Sequence, residues 1–192
     1  MSKLSIESEI EAKLSPEADL EFRIIAEPDF RAGLFWGKPR FGHPEGQIIN
    51  HIPEVLENIE KLAISSEVRR KLRIITYVHD TFKYKEDKGI PRDWSKHHGI
   101  LARKFLERFT NDPHLLAITE LHDEAYYAWR LSVLHKYPEK GFARLQHLFD
   151  QVGEELQLFY LFFKCDTRTG DKIQAPIKWF EKTVEGIEVI DF

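Results

Sequence analysis

The chain has a single cysteine, Cys165, which excludes an intramolecular disulfide framework. Stability must therefore come from a buried apolar core, and a reducing, cytoplasmic setting is the expectation. Long hydrophobic runs are missing as well. The longest, near residues 158–163, is far too short to cross a bilayer. Residues 1–15 mix charged and apolar side chains, so no secretory leader is expected there. Neither sign of charge dominates: 28 Lys and Arg stand against 32 Asp and Glu, scattered along the chain. That argues against a general nucleic-acid or membrane-surface binder. No internal repeat, low-complexity tract or linker-like stretch stands out. The 10 glycines and 9 prolines mostly punctuate periodic segments.

Helical period is present almost everywhere. Ser15 and Pro16 read as a cap and first helical residue, opening a helix to about Ala26. Residues 29–44 read as loop. Ile48, Ile52, Val55, Ile59 and Leu62 form one stripe over residues 47–62. Ser65 or Ser66 caps a helix to about Phe82, and a polar loop follows over 83–94. Ser95 caps another helix to about Phe109. Asp112-Pro113 opens one reaching about His135, and Pro138 starts a short one. Residues 152–165 make an apolar helix, and 173–184 a last one. The expectation is an all-α single domain of six to eight helices spanning 1–192. Residues 1–40 read as an N-terminal extension, 41–170 as the core, and 171–192 as a C-terminal helix and tail.

Histidine is plentiful, with nine residues, and several of them interrupt apolar stripes. Residues three, four or seven apart share a helix face. By that rule His51 falls with Ile48 and Val55, His79 with Leu72 and Ile75, and His98 with Leu101, Ala102 and Phe105. His122 falls with Leu115, Ile118 and Trp129, and Asp166 with Phe159, Phe162 and Phe163. Asp80 adjoins His79. A lone histidine on an apolar face is more often a hydrogen-bonded core residue than a ligand. Five helices each sending a polar group inward call for a shared explanation. Burying an unpaired carboxylate costs several kcal/mol or more. A divalent cation shared among these groups would satisfy them, one or two ions of Mn, Fe, Co, Ni, Zn or Mg. His43, His97, His114, His135 and His147 fit the inward pattern less well and read as surface or loop residues. His97 remains a substitute for His98. His122-Asp123 is a second His-Asp pair, and only one of the two pairs is expected to be the metal dyad.

These residues resemble the HD-domain metal-dependent phosphohydrolase superfamily. Its hallmark is a His, a His-Asp pair and a distant Asp, here His51, His79-Asp80 and Asp166. The stretch from His43-Pro44-Glu45-Gly46 to His51 is similar to the opening helix of HD domains attached to bacterial tRNA nucleotidyltransferases. So is Trp94-Ser95-Lys96-His97-His98-Gly99. The resemblance covers roughly residues 40–170. Two-metal members add two histidines between the pair and the last Asp, where His98 and His122 stand. Many members read His-Asp-x-Gly-Lys, whereas this chain has Phe82 in place of the glycine, followed by Lys83. Nothing in these residues resembles the nucleotidyltransferase domain, so tRNA end-addition is not expected.

The resemblance implies hydrolysis of a phosphate ester, with a nucleotide or related small molecule as substrate. Asp80 would bridge two metals, and Lys83 and Arg168 would stabilise charge on the phosphate. Loop 83–94 reads as a lid, and Phe35, Trp36 and Phe82 as candidate base-stacking residues. The same ligand order also resembles di-iron oxygenases of this superfamily. A non-catalytic metal or nucleotide sensor is the third reading. Partners beyond a small phosphorylated substrate are not expected, and self-association into a homo-oligomer is left open.

Overall fold

A computed structural model gives the fold of residues 3–192; of the stretch read as lacking a leader, Met1 and Ser2 lie outside the described residues. The fold is all-α. Among the described residues there is no β-strand, only an isolated bridge between Arg40 and His43. In chain order the α-helices are α1 (Lys3–Leu14), α2 (Asp19–Ala26), α3 (Pro28–Leu34), α4 (Ile48–Ile59) and α5 (Ser66–Val78). They continue as α6 (His98–Leu106), α7 (Pro113–Leu121), α8 (Glu124–Trp129), α9 (Pro138–Val152), α10 (Leu156–Thr167) and α11 (Ala175–Thr183).

There are more helices than the six to eight expected. The stretch expected as one helix from Asp112 to His135 breaks after Leu121 into α7, α8 and a π-helical turn, Arg130–Leu134. Residues 29–34, within the stretch read as loop, belong to α3, which opens at the N1 proline Pro28. The helix begun by Pro138 is long rather than short, running 15 residues.

Local starts follow from capping chemistry. Ser65 accepts from the Val68 amide at α5, and Asp112 accepts from the His114 and Leu115 amides at α7. At α6 the cap is His97, whose ring accepts from the Gly99 amide, and not Ser95. Ser95 sits instead in a short 3-10 turn, where Asp93 accepts from its amide and hydroxyl.

The centre of the bundle is α10. Its residues Leu158 to Cys165 are all buried, with Phe159, Phe163 and Phe180 in mutual ring contact. Helix α10 packs against α4, α5, α9 and α11, and α5 also packs against α4 and α7. The segment read as an N-terminal extension contributes to this packing from residue 10 onward. Ile10, Leu14, Ile24, Phe30 and Leu34 are buried in the same core. Glu21 and Arg73 form a buried two-point ion pair at 2.8 and 3.0 Å, and the Tyr77 hydroxyl donates to the Leu14 carbonyl.

Two glycines let helices approach where the site needs it. A Cβ on Gly33 would lie 1.8 Å from the Thr81 carbonyl oxygen, so α3 presses directly on the turn after α5. A Cβ on Gly99 would lie 2.2 Å from the Glu120 carbonyl oxygen, so α6 and α7 touch backbone to backbone.

Candidate metal centre

Helices α4, α5, α6, α7 and α10 bring His51, His79, His98, His122 and Asp166 to one place, together with Asp80 on the turn after α5. The five residues other than Asp166 are all at most 4% exposed. They form two triads that share Asp80. In the first, ligand atoms of His51, His79 and Asp80 all lie within 4.8 Å of one another. In the second, Asp80, His98 and His122 meet the same limit. The two carboxylate oxygens divide between them. Asp80 Oδ2 is 3.6 Å from His79 Nε2, while Oδ1 is 3.4 Å from His98 Nε2 and 3.3 Å from His122 Nε2. Asp166 joins the first triad, its Oδ1 2.9 Å from His51 Nε2 and 3.8 Å from His79 Nε2.

The imidazoles are oriented from behind. The His79 ring donates from Nδ1 to the Thr76 carbonyl at 2.9 Å, and His122 does the same to Thr119 at 2.9 Å. His98 donates from Nδ1 to Glu86 Oε1 at 3.2 Å. Each acceptor fixes the tautomer and leaves Nε2 facing the centre. At His51 no such bond forms: Glu45 Oε1 lies 3.5 Å from Nδ1, which has no hydrogen-bond partner, and accepts instead from His43 at 2.9 Å. His79 Nε2 and Asp80 Oδ1 are buried and have no hydrogen-bond partner. Such atoms are rare in folded proteins and cost about 1–3 kcal/mol each when left so. A cation between the triads would satisfy both, and the donor set of imidazoles and carboxylates suits a borderline or hard divalent ion.

The electrostatics match a cation site. Burial pushes the Asp80 carboxyl up, but the Lys83 ammonium and His79 outweigh it and hold it well below the usual carboxylate range. Burial likewise opposes ionisation of Asp166 and Asp123. Lys172 and His51 prevail at Asp166, His122 and His98 at Asp123, and both carboxyls are lowered. Burial drives His79 down to about 3 and keeps it neutral. At His98 burial also pushes downward, but Asp123, Asp80 and Glu86 together raise the ring to about 10. His98 Nε2 lies 3.1 Å from His122 Nε2. That spacing requires a proton between the nitrogens, held where the surrounding carboxylates would also hold a metal ion.

The centre opens into a pocket of about 380 Å³. Asp80, Lys83, Asp123 and Asp166 are on its wall, with Lys172, Arg40 and His43 around them and Phe41, Tyr126 and Phe163 supplying apolar surface. Lys83 Nζ pairs with Asp80 Oδ2, and Lys172 Nζ pairs with Asp166 Oδ1 at 2.9 Å.

Other expected residues are placed elsewhere. Arg168 turns away from the centre: its guanidinium donates to the Phe192 carbonyl and stacks 5.2 Å over the Phe192 ring. Lys172, four residues on, lines the pocket instead and pairs with Asp166. Phe82 is buried, 4.9 Å from the Phe105 ring, and Phe35 and Trp36 do not line the pocket. The backbone of Phe82 (φ −96°, ψ 10°) suits any L-residue, so the turn does not require a glycine there. His97, expected at the surface, is buried, with its ring 4.2 Å from that of His98.

The sequence contained one further signal. Residues 72–80 and 115–123 share the register Leu-x-x-Ile-Thr-x-x-His-Asp, with Val78 or Leu121 before the histidine. The structure gives both copies the same local geometry. In each, the threonine hydroxyl donates to the leucine carbonyl four residues back, at 2.8 and 2.9 Å. In each, the histidine bonds the threonine carbonyl and ends its helix at the centre. Both His-Asp pairs therefore face one site; the expectation was that only one of them is the metal dyad. Comparison with family models, curated proteins and solved structures gave no match.

Proposed function

We propose that the protein is a metal-dependent phosphohydrolase of the HD-domain type, acting on a small phosphate ester such as a nucleotide. The observation that carries this reading is the division of Asp80 between two imidazole pairs beneath a pocket that holds two lysines. His51, His79, Asp80 and Asp166 would hold one divalent ion, and Asp80, His98 and His122 a second. Bound there, a divalent ion lowers the pKa of a water toward neutrality and polarises phosphoryl oxygens.

The chain's own residues supply the rest. Lys83 and Lys172 are held at the centre by Asp80 and Asp166, so each can turn a cationic donor to a phosphoryl group entering the pocket. Arg40 adds charge at the wall, and Phe41, 77% exposed, offers a flat apolar face beside it. Asp80 thus has two roles, bridging the triads and orienting Lys83. The cytoplasmic expectation belongs to the same reading, in keeping with a buried free thiol at Cys165.

A panel of phosphate mono- and diesters, assayed with added Mn, Co, Ni and Mg, tests the proposal. Metal-dependent release of phosphate from at least one small ester is expected. The completeness of both triads also favours a second reading, a di-iron oxygenase. No hydrolysis with any metal, together with two bound irons and O₂ uptake on a polyol or phosphonate, would establish that reading instead.

A further inference from the structure

We propose that Asp123 is a metal ligand, which gives the two ions of the centre matching donor sets: two imidazoles, one terminal aspartate and a share of Asp80. The inference rests on the metal-centre reading above and extends it by one residue and one prediction about the second ion.

The first triad has a terminal carboxylate, Asp166, at 2.9 and 3.8 Å from the Nε2 atoms of its two histidines. The second triad has one in the same relation. Asp123 Oδ2 lies 3.4 Å from His98 Nε2 and 3.8 Å from His122 Nε2. Ligand atoms around one divalent ion stand about 3–4 Å apart, given metal–ligand distances near 2.0–2.2 Å. The spacing in both halves fits that geometry. Asp80 Oδ1, on a buried side chain, has no hydrogen-bond partner and points at the second triad.

Asp123 has little else to do. Its side chain lines the pocket, and its weak partners are the Tyr127 hydroxyl at 3.5 Å and the His97 ring at 4.0 Å. It stands at the N-cap position of α8, but its side chain makes no capping hydrogen bond there. The duplicated register explains how it arrives at the centre. Both copies end a helix on a histidine tied to the threonine three residues back, so each following aspartate is delivered to the same point. Asp80 bridges because it lies between the triads, and Asp123 is terminal because only the second triad is near it.

Titration of the metal-stripped full-length protein with Co(II), followed by visible absorption and by metal analysis after gel filtration, tests this. Wild type should bind two equivalents, with closely similar absorption bands from the first and the second. Asp123→Asn should keep one ion at wild-type affinity and bind the other more than about a hundredfold more weakly. Loss of an outer-shell partner costs only about 10–100-fold, so a larger effect marks a direct ligand. Asp123→Glu, which restores a carboxylate, should recover two ions. If Asp123→Asn binds the second ion within about a hundredfold of wild-type affinity, Asp123 is not a direct ligand. If the wild-type bands show that the second ion has a poorer donor set, the matching is wrong even without a variant. A wild-type protein that binds no cobalt would overturn the metal-centre reading itself.

Discussion

Gly99→Ala should damage the second triad without touching any ligand. The added Cβ would sit 2.2 Å from the Glu120 carbonyl oxygen, whereas ordinary contact begins at 3.4 Å. Because that Glu120 oxygen belongs to the backbone, α6 must move away from α7 by about 1 Å. His98 adjoins Gly99 on α6, and His122 ends α7, so their Nε2 atoms, now 3.1 Å apart, would separate by a similar amount. Overpacking of this kind typically costs about 1–3 kcal/mol. Replacing a helical glycine by alanine returns at most about 1 kcal/mol, and less in the first turn, where Gly99 lies. The expected net loss is about 1–2 kcal/mol, measured by denaturant or thermal unfolding of the metal-free protein. Metal titration should show the first ion retained and the second weakened. A variant with unchanged stability and two ions bound at wild-type affinity would refute the view that this contact sets the His98–His122 spacing.

Metal uptake should be coupled to proton release. The carboxylates around His98 overcome its burial and hold it at about 10, so in the metal-free protein the ring carries a proton at pH 7. An ion entering the second triad must displace that proton, so binding releases about one proton and tightens about tenfold per pH unit between 7 and 9. His79, driven by burial to about 3, is already neutral and adds no such dependence. Calorimetry in buffers of different ionisation enthalpy counts the protons, and a count of zero would contradict the assignment. Lys172→Ala should raise KM for a phosphate ester by about tenfold or more, in line with loss of a charged hydrogen bond of about 1.5–3 kcal/mol. Arg168→Ala, which loses only the contact to Phe192, should leave kcat/KM within twofold. Steady-state kinetics of the two variants decides between them.

Five of the six residues expected as ligands were legible because each breaks an apolar stripe of regular period, and Asp80 because it adjoins one of them; burial of an uncompensated charge has few remedies. The structure brings all six together. What escaped was encoded otherwise. Asp123 follows its histidine at a helix end, beyond the reach of periodicity, and its signal was a shared register of nine residues rather than a stripe. Glu45 and Glu86 reach the histidines from segments outside the helices, so spacing along the chain says nothing of them. The exchange of Arg168 for Lys172 has the same origin. Helix α10 ends at Thr167, the chain turns through Gly170 at φ +54°, and that turn sends Lys172 back to Asp166 while Arg168 meets the C-terminal residues. Helix count was underestimated where a break falls inside an unbroken apolar pattern, at His122-Asp123, because the break serves the site rather than the core.

Metal content of Asp80→Ala is the most direct test of the centre. Asp80 is the one residue common to both triads, so its removal should strip both ions while the fold, followed by circular dichroism, persists. Elemental analysis should find two equivalents in the loaded wild type and close to none in the variant. A variant that retains the wild-type metal content would show that the imidazoles and carboxylates gathered here do not form a shared cation site.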